Sequence, residues 1–80
     1  MILKLIISEK WAHEILFNNK RVEFREYKPF YMRRIGDNNI HAIEFQIGYS
    51  VNAIKFTCDC LGIYCDYKNY KIKLGEPRLN

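Results

Sequence analysis

The polar residues with the most distinctive spacing in this chain are Lys20, Glu23 and Arg25, which stand in the order Lys-x-x-Glu-x-Arg. An ammonium group can hold a phosphate as a point charge, and a guanidinium can donate two parallel hydrogen bonds to one. A carboxylate is unsuited to phosphate, but it can accept a hydrogen bond from a base edge or orient the neighbouring arginine. These residue types are compatible with a site for a phosphorylated ligand that also presents a hydrogen-bond donor, although composition alone indicates a solvated strand edge.

The positive charge of the chain is concentrated around this motif. Residues 20–34 contain six basic and two acidic side chains, whereas the other 65 residues contain seven of each, so this segment accounts for the whole net charge of +4. Aromatic rings are interleaved with the cations, and unpaired bases stack on such rings while lysine and arginine bind the phosphates. The predicted ligand-binding residues are Lys20, Arg21, Glu23, Arg25, Tyr27, Lys28, Tyr31, Arg33, Arg34 and Tyr49.

Two other interpretations of the same segment stay open. A mixed run of lysine, arginine and glutamate is often only a solvated face. Tyrosine, phenylalanine, methionine and arginine are also enriched at protein interfaces, so residues 27–34 suit a small inhibitor or adaptor that binds another protein. This segment is therefore consistent with binding of RNA or a nucleotide, with binding of a protein, and with a solvated face that binds no partner.

The cysteines and one histidine contain the ligand types of a zinc site, namely Cys58, Cys60, Cys65 and His41. Their spacing argues against one, because structural zinc cysteines lie roughly two to four residues apart on turns. Cys58 and Cys60 instead share the predicted core face of a strand with Ile54. The sequence also has no glycine-rich phosphate loop and no Ser/His/Asp arrangement. We therefore predict no metal and no cofactor, and the residues assign no catalytic set.

The length and composition predict one small domain inside the cell. Eighty residues with 49% hydrophobic and 28% charged side chains provide material for a single core, so residues 1–80 are expected to form one domain. The sequence has neither an apolar run of membrane length nor an export signal, and an odd number of cysteines suits a reducing compartment. A cytoplasmic protein without membrane contact is the resulting expectation.

A strand and a helix precede the motif. The apolar, β-branched run over residues 2–7 predicts a strand. Ser8 is then a favourable N-cap, and apolar side chains recur at helical spacing from Trp11 onwards. Asn18 and Asn19 predict the end of the helix, because asparagine tolerates the left-handed backbone conformation. The helix therefore delivers the chain to the motif through a tight turn.

The rest of the chain alternates with a period of two residues and predicts a curled sheet. Val22 and Phe24 are expected on the core face of the strand that carries the motif, with the ionic residues on the opposite face. Pro29 ends that strand, and a turn or short helix is expected over residues 30–39. Further strands are predicted at residues 40–47, 52–60, 61–65 and 70–74. Five to six strands with one helix after the first strand indicate an α+β fold whose sheet curls into a small β-barrel.

The segment EILFNNKRVEFR, residues 14–25, resembles the signature of the ASCH domain, a family with the PUA-like β-barrel fold. Ile15 and Leu16 match the apolar pair of that signature, and Asn18 stands where the family prefers glycine. The polar positions of the signature are matched by Lys20, Glu23 and Arg25. The later FQIGYS is similar to an F-x-x-G-Y element of some small members, matched by Phe45, Gly48 and Tyr49.

The resemblance implies a compact PUA-like domain that binds RNA or a modified nucleotide in a cleft beside the helix, lined by the lysine, glutamate and arginine of the motif. One branch of the family hydrolyses acetylcytidine with a threonine directly after the lysine, and Arg21 stands at that position here. Because a guanidinium neither attacks nor deprotonates near neutral pH, this activity is not expected. An RNA-processing activity that needs only an acid-base pair is a further alternative.

Overall fold

Residues 1–36 and 39–80, which the computed structural model describes, form five strands and two helices. In chain order the elements are β1 (Ile2–Ile7), α1 (Glu9–Phe17), β2 (Val22–Glu26), α2 (Pro29–Ile35), β3 (Ala42–Ile47), β4 (Lys55–Cys65) and β5 (Asn69–Leu79). The fold is α+β with one curled sheet, as the strand patterns predicted.

Helix α1 begins and ends at the predicted residues. The Ser8 side chain accepts a hydrogen bond from the backbone N–H of Trp11, at 3.4 Å, and so caps the first turn. Asn18 is the C-cap, and Asn19 has a positive φ of 61°. Asn18 has a φ of −115°, so Asn19 is the residue that ends the helix in the left-handed conformation that asparagine tolerates.

A second helix, α2, follows β2, where the sequence predicted a turn or short helix. Pro29 occupies its first turn, a position at which the missing N–H of proline costs nothing. The expectation of one helix after the first strand is therefore incomplete, because α2 adds another. Residues 37 and 38 of the predicted segment lie outside the described residues.

The sheet has the strand order β1-β3-β4-β5-β2 and curls into a half-barrel. β1 and β3 are parallel, and the other neighbouring strands are antiparallel. The two strands predicted at residues 52–60 and 61–65 form the single strand β4, whose pairing with β5 shifts register around Cys60 and Gly62. Such irregularities bend a long strand and increase its twist, which helps the sheet to curl.

The core lies on the concave face of the sheet, under α1 and α2. Alternate residues of the strands point into it, together with one side of each helix. Ile54 was expected there but precedes β4 and is exposed. The buried core comprises Leu3, Leu5, Ile7, Ala12, Ile15, Ile35, Ile43, Phe45, Phe56, Cys58, Ile72 and Leu74.

The phase of β2 is opposite to the prediction. Glu23 is only 6% exposed, whereas Phe24 is 52% exposed. β2 pairs with β5 so that Glu23 lies beside the buried Ile72 and Phe24 beside the exposed Lys71. Since neighbouring residues in register share a face, the pairing with β5 directs the glutamate to the concave face and the phenylalanine outward.

Candidate functional site

The open seam of the half-barrel lies between β1 and β2, the two edge strands of the sheet. In the part of the chain that the structure describes, each of them pairs with one neighbour, β1 with β3 and β2 with β5. Across the seam, Nη2 of Arg25 on β2 donates a hydrogen bond to the backbone carbonyl of Ile6 on β1, at 3.1 Å. One residue of the Lys-x-x-Glu-x-Arg motif therefore links the two edges.

Glu23 is a buried carboxylate held between two cations. Its Oε2 accepts from Nε of Arg25 at 2.9 Å and lies 2.6 Å from Nη2 of the same guanidinium. Its Oε1 lies 3.5 Å from Nζ of Lys20. The sequence predicted that these three side chains meet at one face of the strand, and the structure brings them together. Burial of the glutamate is tolerable because both carboxylate oxygens have a cationic partner.

Arg25 is fixed in one orientation by contacts on all three of its nitrogens. Besides the bonds to Glu23 and Ile6, Nη1 donates to the hydroxyl oxygen of Tyr31 on α2, at 3.0 Å. The guanidinium carbon also lies 5.6 Å from the centroid of the Tyr31 ring. Because the Tyr31 oxygen accepts from Arg25, its own hydrogen is available to donate to a ligand. The result is a rigid donor group beside a hydroxyl whose proton is unused by this bond.

A cleft of about 370 Å³ opens at the seam, and we call it the seam cleft. This size lies within the range of small-molecule sites, about 300–1,000 Å³. Its walls come from the end of β1, the start of α1, β2 and the start of α2. The lining residues are Ile6, Ile7, Ser8, Trp11, Glu23, Phe24, Arg25, Glu26, Lys28 and Tyr31.

Two aromatic rings of the seam cleft were missed by the sequence analysis. Trp11 was placed on the apolar face of α1 and Phe24 in the core, yet both are about half exposed and line the cleft. Nζ of Lys20 lies 4.5 Å from the centroid of the Trp11 ring, within cation–π range. The spacing of Trp11 relative to buried Ala12 and Ile15 places it at the border of the apolar face of α1. That position was the only sequence signal that Trp11 lines a cleft.

A second cleft, of about 540 Å³, adjoins the first, and we call it the α2 cleft. It lies between α2 and the face of β1 and β3 that carries their exposed residues. Four of the predicted ligand-binding residues line it, namely Arg25, Tyr31, Arg34 and Tyr49. Arg25 and Tyr31 also line the seam cleft. Tyr49 extends from the turn after β3, where Gly48 adopts a φ of 79° that favours glycine.

Arg21 binds the end of α1 rather than the wall of either cleft. Its Nη1 donates to the carbonyls of Ile15, at 2.8 Å, and Lys20, at 3.0 Å. Its Nη2 donates to Oε2 of Glu76 on β5, at 3.1 Å. A cation at a helix C-terminus satisfies carbonyls that lack partners within the helix. This geometry ties α1 to β5, a role that the sequence analysis did not foresee.

The other predicted residues lie at different places. Lys28 lines the seam cleft and is 3.8 Å from Glu26. The hydroxyl of Tyr27 donates to the backbone carbonyl of Asp66, and its ring packs edge-on against another tyrosine, so it is held at the opposite end of β2 from the motif lysine. Arg33 is exposed on α2, outside the lining of the seam cleft and of the α2 cleft.

Neither a metal centre nor a membrane-spanning helix is found within residues 1–36 and 39–80. No three His, Cys, Asp or Glu side chains of these residues come together as they would around a metal ion. Cys58 is buried in the core, Cys60 is half-buried and Cys65 is exposed, and all three are free thiols. No helix among the same residues is long and apolar enough to cross a bilayer.

The chain matches no protein-family model, no curated protein and no solved structure. The chemistry of the site therefore has to be argued from its own geometry.

Proposed function

We propose that this chain is a compact ASCH-like domain that binds single-stranded RNA or a nucleotide in the seam cleft. The observation that carries the proposal is the position of Glu23. A buried carboxylate fixed by Lys20 and Arg25 lies at the base of a cleft whose walls contain exposed aromatic rings. In a plain solvated strip Glu23 would be exposed, as the other carboxylate of the segment, Glu26, is.

The walls of the seam cleft suit a nucleobase. The half-exposed rings of Trp11 and Phe24 offer flat apolar surfaces, and stacking of an unpaired base on an aromatic ring contributes about 1–3 kcal/mol. The hydroxyl of Tyr31 and the carboxylate of Glu23 provide a donor and an acceptor for the edge of that base. The cleft thus combines a stacking surface with a donor and an acceptor that can form hydrogen bonds with the base edge.

The cations around the cleft suit the sugar-phosphate backbone. Lys28 is exposed at the rim, and Lys20 is partly exposed above Trp11. The net charge of the chain lies in this segment, so a polyanion is attracted to this side of the molecule. Binding of single strands should weaken with salt, with a slope near −0.7 per phosphate contact in a plot of log affinity against log salt.

The first experiment measures the affinity of a short fluorescent single-stranded RNA at several salt concentrations by anisotropy. Trp11→Ala should weaken binding about tenfold, the factor that corresponds to about 1.4 kcal/mol of lost stacking. The matched control is Phe17→Ala, which removes an exposed aromatic ring from the other end of α1. Equal effects of the two substitutions, or the absence of RNA binding at low salt, would refute the proposal.

The second experiment separates a cleft from an electrostatic surface. Glu23→Gln removes a negative charge while keeping the size of the side chain. If only the potential of the surface matters, this variant should bind RNA more tightly. If the cleft reads the ligand, it should bind more weakly, because Arg25 loses its ionic partner and the base edge loses its strongest acceptor. We expect weaker binding, and Arg33→Ala serves as the control that lowers affinity modestly in either case.

A further inference from the structure

The α2 cleft adjoins the seam cleft, because Ile6, Arg25 and Tyr31 line both. Arg25 and Tyr31 are joined by a hydrogen bond and so form a ridge between the two spaces. A ligand that extends from the seam cleft over this ridge enters the α2 cleft directly. The two spaces, of about 370 and 540 Å³, are each within the range of small-ligand sites.

The α2 cleft contains more cations than its carboxylate can neutralise. Lys4 lies beside Glu44 in the register of β1 and β3, and Lys55 lies beside Gln46 in the register of β3 and β4. Oε2 of Glu44 accepts a weak hydrogen bond from the side chain of Asn80, at 3.4 Å. Among the described residues, Lys4 and Lys55 form no ion pair with a carboxylate. Their charges are therefore available to an anionic ligand.

Aromatic rings flank these cations. Phe30 on α2 is half exposed, and the guanidinium carbon of Arg34 lies 4.4 Å from its centroid. Tyr49, at the opposite wall, is 85% exposed. The exposed, amphipathic ring of Tyr49 is therefore accessible for stacking.

We propose that the α2 cleft binds the next nucleotide of the same RNA strand, so that the ligand of this chain spans at least two nucleotides. The inference rests on the proposed function, since the first base occupies the seam cleft. The linking phosphodiester crosses the ridge at Arg25 and is held by Lys4 and Lys55. The second base stacks against Tyr49, because the ring of Phe30 is already in contact with the guanidinium of Arg34.

The test compares three sets of probes carrying each of the four bases: nucleosides, nucleoside 5′-monophosphates, and dinucleoside monophosphates with two identical bases. Isothermal titration at one low salt concentration gives the affinities. At least one dinucleoside monophosphate should bind about tenfold more tightly than its 5′-monophosphate, the size of one additional stacked base. Lys55→Ala and Tyr49→Ala should each remove about this factor for the dinucleoside and leave nucleoside binding unchanged.

Matched controls distinguish this inference from general electrostatics and from the proposed function. Lys73→Ala also removes one positive charge, but Lys73 lies on β5 outside both clefts, beside the ring of Tyr64. It should not change dinucleoside affinity by more than about twofold, because an exposed charge beyond the site is screened. Lys55, Tyr49 and Lys73 are all exposed, and an unchanged thermal midpoint will show that each variant is folded.

Three outcomes would overturn the inference in different ways. Equal affinity for 5′-monophosphates and dinucleoside monophosphates, with Glu23→Gln still weakening both, would show that the α2 cleft does not bind the ligand and that the seam cleft is the whole site. If no nucleotide probe binds, the proposed function is refuted as well. Binding of an acidic peptide more tightly than any dinucleoside, with loss in Lys55→Ala, would assign the α2 cleft to a protein partner.

Discussion

Removing the carboxylate of Glu23 should destabilise the fold much more than removing an exposed carboxylate. Glu23 is 6% exposed, and its partner Arg25 has a side chain that is only 14% exposed. Deleting one member of a buried ion pair costs about 3–5 kcal/mol, since the other charge is left without compensation. Arg25 keeps its bonds to Tyr31 and Ile6, so we expect Glu23→Ala to cost about 3 kcal/mol, at the lower end of that range.

The matched control for this substitution is Glu76→Ala. Glu76 also pairs with an arginine, Arg21, and the two atoms are 3.1 Å apart, but the Glu76 side chain is 84% exposed. Exposed pairs contribute about 0–1 kcal/mol. The two substitutions delete the same group from the same kind of pair, and they differ in burial.

Urea unfolding followed by tryptophan fluorescence measures both variants. A chain of this size has a total stability of about 4–12 kcal/mol, so Glu23→Ala should still fold in the absence of urea. With a denaturant slope near 1 kcal/mol per molar, its midpoint should fall by about 3 M. The combined Glu23→Leu and Arg25→Leu variant should recover most of the loss, because replacing a whole buried pair with apolar side chains is often nearly neutral. If Glu23→Ala costs no more than Glu76→Ala, the reasoning about the buried pair is wrong.

Three further predictions concern other parts of the chain. The backbone N–H groups of Lys68 and Asn69 donate to Asp66 and hold the pKa of that carboxyl below its usual range. The ionised carboxyl of Asp66 stabilises the fold above the unfolded-state pKa of about 3.9, and this stabilisation is lost as pH falls through the lower folded-state pKa. In a pH series, the thermal midpoint of Asp66→Asn should therefore fall less steeply at acid pH than that of the unmodified chain. Burial raises the pKa of the Cys58 thiol to about 11. Iodoacetamide should therefore modify exposed Cys65 in the native protein and spare Cys58 until denaturant is added. Equal labelling of Cys58 and Cys65 in the native chain, measured by mass spectrometry, would contradict this. Acetylcytidine should not be hydrolysed, because a guanidinium replaces the expected hydroxyl, and enzyme-dependent release of cytidine on chromatography would show another nucleophile.

Local signals in the sequence were sufficient for α1 and for most of the strands. The N-cap at Ser8 and the left-handed Asn19 are decided by contacts within a few residues, so the helix ends could be predicted. Alternation over residues 40–47 predicted a strand, and β3 lies within that range, with Ile43 and Phe45 in the core. The α2 helix was foreseen only as an alternative to a turn, because seven residues with one proline fit both.

The phase of β2 could not be predicted from its own residues. Val22 and Phe24 are the apolar members of the strand, and period-two reasoning turns them inward. The register with β5 overrides that preference, since Ile72 and Leu74 of β5 have to face the core and carry Glu23 with them. The long strand β4 was also divided in two by the prediction, although Gly62, where the pairing with β5 shifts register, is the kind of residue that marks a bulge within one strand.

The composition of the site was predicted better than its walls. The spacing of Lys20, Glu23 and Arg25 predicted that the three side chains meet, and they do. The contribution of Trp11 could not be predicted, because it depends on the packing of α1 against the seam. Arg21 was expected among the ligand-binding residues because of its charge, yet its donors are directed to the end of α1 and to Glu76.

The seam explains why an ion pair stands where the strand pattern would place apolar residues. A backbone ladder between β1 and β2 would satisfy the edges of the sheet, but it would also close the cleft. The hydrogen bond from Arg25 to the carbonyl of Ile6 fixes the distance between the edges and keeps the space beside it open. Glu23 keeps that guanidinium oriented where apolar packing could not. The Glu23→Leu and Arg25→Leu combination should therefore remain folded and lose RNA binding, since packing can replace the pair in stability but not in recognition.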